Sequence, residues 1–73
     1  MVYIIYTKPT CIFCTQAKNL LTERGFEYTE IDITSKKKKK ELLSLNPNAK
    51  TVPQIFLNNK LIGGYTELAK SLG

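Results

Sequence analysis

The chain contains no histidine, and that absence removes a good deal of chemistry. Without imidazole there is no Cys–His nucleophilic dyad and no His ligand for zinc. Cysteine is scarce: Cys11 and Cys14 are the only two. Two thiolates fill half of a tetrahedral zinc site, so a structural zinc would need a second chain or outside ligands. A bridge between them closes a very short loop and constrains the unfolded chain little, so the pair is a poor staple. Long apolar runs are missing as well. Met1 to Tyr6 is apolar but stops at Lys8-Pro9, without the basic n-region or the long h-region of a signal peptide. No stretch approaches the roughly 20 apolar residues of a membrane helix. The expected compartment is the cytoplasm, where a reducing poise lets a cysteine pair cycle.

What is present is 73 residues with a net charge of +5. That length makes one domain, 1–73, with a thin core, since so short a chain buries only about 60% of its unfolded surface. Val2 to Thr7 is β-branched and aromatic throughout, the composition of a strand covered on both faces. Lys8-Pro9-Thr10 breaks it, and Phe13, Ala17, Leu20 and Leu21 then recur at helical spacing up to Arg24-Gly25. Glu27 to Ile33 alternates as a second strand. Strand, helix and strand within so few residues form a βαβ unit, so the two strands should be parallel.

Thr34 or Ser35 is expected to cap a second helix running to Leu45, which Asn46-Pro47-Asn48 stops. Val52 to Leu57, the turn Asn58-Asn59, and Lys60 to Ile62 read as a hairpin, because Asn tolerates the positive φ of a two-residue turn. Gly63-Gly64 ends it, with Thr66 as the expected N-cap of a short last helix, Glu67 to Leu72. The predicted fold class is α/β: a four-stranded mixed sheet, one parallel pair and one antiparallel pair, flanked by three helices.

Lys36 to Lys40 is the one low-complexity stretch. Five cations at a helix N-terminus oppose the macrodipole and repel one another. They read either as a solvated face or as a steering surface for an anionic partner. A nucleic-acid partner is not expected, because no aromatic residue is interleaved with the lysines and no recognition module is visible.

The chemistry centres on Cys11-Ile12-Phe13-Cys14. A lone C-x-x-C at a strand–helix junction reads as a redox dithiol, with a metal shared between chains and a pair of inert thiols as the alternatives. At the start of helix one, unpaired backbone N–H groups and the positive end of the dipole favour thiolate over thiol, and Lys8 adds a nearby positive charge. At 100° per residue Cys14 falls nearer the inward face, which centres between Ala17 and Leu20. Cys11 projects toward solvent, so Cys11 attacks and Cys14, one turn along, resolves.

Three blocks of the chain resemble the glutaredoxin family: Tyr6-Thr7-Lys8-Pro9-Thr10-Cys11 with Cys14 following, Thr51-Val52-Pro53-Gln54-Ile55-Phe56, and Ile62-Gly63-Gly64-Tyr65-Thr66-Glu67-Leu68. Their order and spacing hold across nearly the whole chain. The resemblance implies a thioredoxin-like fold and glutathione as reductant, with no metal. It makes Pro53 a cis-proline beside the active cysteine and gives Thr51 and Val52 backbone hydrogen bonds to the glutathionyl cysteine. Lys8 then faces a glutathione carboxylate, and Phe13 offers a flat surface. Gly64, Tyr65 and Thr66 bring N–H groups at a helix start to the γ-glutamyl carboxylate, and Glu67 pairs with its ammonium.

Two departures from the family pattern stand out. Ile12-Phe13 replaces the usual Pro-Tyr, which removes a hydroxyl and restores an N–H. Glu67 is longer than the common Asp. The function implied is glutathione-dependent reduction of protein disulfides and glutathione mixed disulfides by a monomer. The alternatives are a hydrogen donor for ribonucleotide reductase fed by thioredoxin reductase, and a carrier of a [2Fe–2S] cluster bridged across a dimer with glutathione.

Overall fold

The apolar run at the start of the chain becomes β1, Tyr3–Thr7, the strand around which the sheet is laid. The computed structural model describes residues 2–73; Met1, the first residue of that apolar segment, lies outside the described residues. After β1 come α1, Ile12–Glu23; β2, Tyr28–Asp32; α2, Lys36–Leu45; β3, Gln54–Leu57; β4, Lys60–Gly63; and α3, Tyr65–Leu72. The strand order is β2-β1-β3-β4. β1 runs parallel to β2, with Tyr3 opposite Tyr28 and Thr7 opposite Asp32, and antiparallel to β3, with Tyr3 opposite Leu57 and Tyr6 opposite Gln54. β3 and β4 form the expected hairpin. Its turn is Asn58-Asn59, with φ of 49° and 68°, the left-handed pair that a two-residue hairpin turn requires.

Alternation along β1 divides the core between the two faces of the sheet. Tyr3 and Ile5 pack with Ala17 and Leu21 of α1, Ile55 of β3 and Leu68 of α3. On the other face Tyr6 packs with Ile33, Leu42 of α2 and Phe56. Two helices therefore cover one face and one covers the other, the thioredoxin-like arrangement that the glutaredoxin likeness implies.

Two boundaries and one cap differ from expectation. β3 begins at Gln54 rather than Val52, because Pro53 has no N–H to give the ladder. α3 begins at Tyr65, two residues early, and its N-cap is Gly64 rather than Thr66. The Glu67 carboxylate causes this: Oε1 reaches back to accept the Gly64 N–H at 2.8 Å, as an acidic third residue does in a capping box. α2 does start after Ser35, but that side chain makes no capping bond, and the N–H and O–H of Thr34 go to Asp32 Oδ1 instead, each at 2.8 Å. Gly25, at φ 76°, ends α1 where expected.

Candidate functional site

The turn Lys8-Pro9-Thr10 carries the chain from the end of β1 to the start of α1. Thr10 takes a left-handed φ of 63°, and Cys11 follows as the N-cap of α1 in extended conformation. A helix N-cap side chain normally offers oxygen to the free N–H groups of the first turn. Here sulfur does so: the Cys14 N–H donates to Cys11 Sγ at 3.2 Å. In the thiol form Cys11 donates in turn to the Val52 carbonyl at 3.7 Å. Cys11 Sγ is thus held between a helix start and the loop that carries Pro53.

Both thiols are free, Cys11 half-buried and Cys14 only 2% exposed, as the helical spacing predicted. The Cys14 thiol is pushed up to about 11, first by burial, then by the hydrogen bond it gives Cys11 and by negative charge on that sulfur. Opposing these are a backbone hydrogen bond from Lys8 and the Lys18 ammonium. Cys14 is therefore a protonated donor aimed at Cys11 and gives up its proton only with help.

Lys18 lies one turn beyond Cys14 on α1. It pairs with Glu30 Oε2 of β2 at 2.9 Å, and the same oxygen accepts from the Thr7 hydroxyl at 2.9 Å. The hydrogen bond from Lys18 is the main cause holding the Glu30 carboxyl below its ordinary range, and that pairing raises Lys18. Sequence reasoning missed this trio. Its one available signal was the i,i+4 spacing of Cys14 and Lys18, which puts both on one helix face.

Eight of the nine residues expected to hold glutathione line one open cleft of about 560 Å³: Phe13, Thr51, Val52, Pro53, Gly64, Tyr65, Thr66 and Glu67. The Val52–Pro53 peptide bond is cis. Phe13 and Tyr65 stack across the cleft, centroids 6.2 Å apart and planes 29° apart. Buried Gln54, quoted in the motif but given no role, fastens the loop by donating to the Thr51 carbonyl at 2.8 Å and accepting from Asn46 at 3.2 Å. The first-turn N–H groups of α3 at Tyr65 and Thr66 face no intrahelical acceptor. Glu67 spends one carboxylate oxygen on the Gly64 N–H, so it serves helix and cleft together. Its side chain also lies where a Cβ on Gly63 would sit, 2.8 Å from Cγ, and Gly63 has φ 129°, so only glycine fits there.

Lys8 is the residue that does not join this group. It is exposed and lines a second recess of about 410 Å³ on the far side of Thr51 and Val52, with Lys39, Lys50, Ile33 and Leu42. What it brings to the cysteine pair is its backbone N–H, which meets Cys14. Among the described residues no three His, Cys, Asp or Glu side chains come together, and no helix is long and apolar enough to cross a membrane.

The family model for glutaredoxin matches residues 3–62. Glutaredoxin 3 of Escherichia coli strain K12 is 41% identical over 64 residues, spanning 88% of this chain and 77% of that protein. Among solved structures, reduced Escherichia coli glutaredoxin superposes with a TM-score of 0.79 at 33% identity, covering 99% of this chain and 93% of that one. A buckwheat glutaredoxin in complex with glutathione gives a TM-score of 0.81 at 24% identity, over 96% of this chain and 66% of that one, a likeness of fold alone. With a C-x-x-C at the head of a helix, a cis-proline loop against its first sulfur and these matches across most of its length, the chain belongs to the glutaredoxin family of thiol–disulfide oxidoreductases.

Proposed function

We propose that this glutaredoxin reduces protein disulfides and glutathione mixed disulfides at Cys11, drawing its electrons from glutathione as a cytoplasmic monomer. The observation that carries the reading is the contact between Cys11 Sγ and the Val52 carbonyl, since Val52 also lines the cleft. A peptide-like thiol lying along Thr51–Val52 brings its sulfur to Cys11 while its polar ends reach outward. Glutathione has two carboxylates and one ammonium. The free N–H groups of Tyr65 and Thr66 suit the γ-glutamyl carboxylate, and the open oxygen of Glu67 suits the ammonium. Lys8, across the Thr51–Val52 ridge, suits the glycyl carboxylate. Phe13 and Tyr65 wall the cleft between them.

On a glutathionylated protein, Cys11 attacks the glutathionyl sulfur. The Cys11–S bond forms, the old S–S bond breaks, and the protein thiolate leaves and takes a proton from solvent. A second glutathione attacks the Cys11 mixed disulfide, releasing glutathione disulfide and free Cys11. On a protein disulfide, Cys11 forms a mixed disulfide with one substrate sulfur. Cys14 then loses its proton and attacks, which frees the reduced substrate and leaves a Cys11–Cys14 disulfide. Two glutathiones return the pair to dithiol as they become glutathione disulfide.

The test is turnover of a glutathione mixed disulfide with glutathione and glutathione reductase, set beside the same assay driven by thioredoxin reductase. Turnover with glutathione supports the reading. Turnover with thioredoxin reductase alone overturns it and makes the chain a donor of the ribonucleotide-reductase type.

A further inference from the structure

Lys36 to Lys40 form the first half of α2, and the fold gives them almost nothing to do. Lys38 pairs with Glu41 at 3.5 Å; Lys36, Lys37, Lys39 and Lys40 are exposed and make no ion pair among the described residues. The first turn of α2 has no acidic residue, and Ser35 makes no capping bond. Cations at the positive end of a helix, with like charges at i,i+3 and i,i+4, weaken that helix. An anion arriving from outside relieves both penalties.

Position separates Lys39 from an ordinary solvated face, and the other α2 lysines extend from it along the helix. Lys39, together with Lys8 and Lys50, rims the 410 Å³ recess, which Thr51 and Val52 also line. The same Val52 meets Cys11 through its carbonyl. A chain whose cysteine is bonded to Cys11 and which runs out over Val52 therefore enters a recess with an ammonium rim, and then reaches the exposed face of α2. No aromatic residue lines the recess, so it offers no platform for nucleic-acid bases. Charge complementarity with Lys8, Lys39 and Lys50 favours a peptide with acidic side chains beside the cysteine.

We propose that the recess and the lysines of α2 dock an acidic segment flanking the reducible cysteine of a protein substrate, so that this glutaredoxin selects disulfides set in acidic sequence. This rests on the reading of Cys11 as the attacking thiol, and it names the substrate class of that same site. The docked segment acts on association and leaves the sulfur exchange itself unchanged.

The test uses two synthetic peptides, each with one intramolecular disulfide, differing only in that a flank of Asp and Glu in one is Asn and Gln in the other. The readout is the single-turnover rate at which each oxidises the reduced protein, without glutathione, at low and at high ionic strength. The expected result is a preference for the acidic peptide of about tenfold at low salt, collapsing at high salt. The combined variant K36Q, K37Q, K39Q and K40Q should lose most of that preference while its rate with uncharged hydroxyethyl disulfide stays at the wild-type value. K50Q, outside the helix, should lower the preference by itself, so the result does not depend on α2 keeping its stability.

Equal rates for the two peptides overturn the proposal, as does a preference that survives the fourfold variant. Stronger inhibition by a short DNA duplex than by the reduced acidic peptide overturns it too, in favour of a nucleic-acid surface. Failure of the glutathione reading is seen separately, as loss of glutathione-driven turnover with the peptide comparison intact.

Discussion

The backbone N–H of Cys14 donates to Cys11 Sγ at 3.2 Å, so Cys14 helps to hold the sulfur of Cys11 in place. Its own thiol, 2% exposed, is meanwhile pushed up to about 11, chiefly by burial. One residue thus steadies its neighbour through the backbone and withholds its side chain.

Alkylation should expose this asymmetry. With iodoacetamide at neutral pH the reduced protein should take a single adduct, on Cys11, and a second on Cys14 only in alkali above the ordinary 9.0, because burial still raises that thiol once Cys11 is capped. In Cys11→Ser the Cys14 midpoint should fall, because its hydrogen bond and charge repulsion with that sulfur are gone. It should stay above the ordinary 9.0, because burial is the larger cause. Peptide mapping against pH measures both, and early modification of Cys14 contradicts the assignment.

Lys18 is expected to assist the second step only. Its ammonium favours ionised Cys14, so Lys18→Met should move the Cys14 midpoint upward and slow closure of the Cys11–Cys14 disulfide several-fold. Removal of glutathione from a glutathionylated protein needs no Cys14 and should keep its rate. Rapid-quench measurement of the two reactions separates them, and equal slowing of both would reduce Lys18 to a structural role.

The Lys18–Glu30 pair also makes an acid-stability prediction. The Glu30 carboxyl is held below its ordinary 4.5, so its contribution is fully present above that pH and is lost as pH falls through the lower folded value. Glu30→Gln should melt below wild type near neutrality, with the gap closing in acid. Parallel melting profiles across the whole range would contradict the pairing.

Glu67 has two duties that two substitutions can divide. Glu67→Gln keeps an oxygen for the Gly64 N–H, so stability should hold while the apparent KM for glutathione rises several-fold, in keeping with about 0.2–1 kcal/mol for an exposed ion pair. Glu67→Ala should raise KM similarly and in addition cost about 0.5–2 kcal/mol of stability through the lost cap. Denaturation midpoints beside KM values check the division, and equal stability of the two variants would remove the capping role.

Much of this was legible in the residue order. The β-branched run at Tyr3–Thr7, the Asn58-Asn59 turn and the burial of Cys14 all follow from local periodicity and turn chemistry, and they stand in the structure. What was not legible depends on contacts between segments distant in sequence or on a choice between local partners. Thr66 looked like the cap because its hydroxyl is a good acceptor, yet Glu67 reaches the Gly64 N–H first. Lys8 is close to Cys11 in sequence but lines the other recess beside Thr51 and Val52, a placement that depends on a segment distant in sequence. Glu30 meets Thr7 only when β2 docks on β1, and Gln54 meets Asn46 only when the loop before β3 folds back on the end of α2, which no local pattern encodes.

A comparison of Cys11→Ser and Cys14→Ser on one glutathionylated protein, with glutathione as reductant, shows whether Cys11 alone carries the attack while Cys14 only resolves. Cys11→Ser should lose all turnover. Cys14→Ser should retain it, since glutathione resolves the Cys11 mixed disulfide, and should accumulate a protein bearing one glutathione on Cys11 by intact mass. Equal loss of turnover in both variants, or glutathione found on Cys14 in Cys11→Ser with activity intact, would contradict the account.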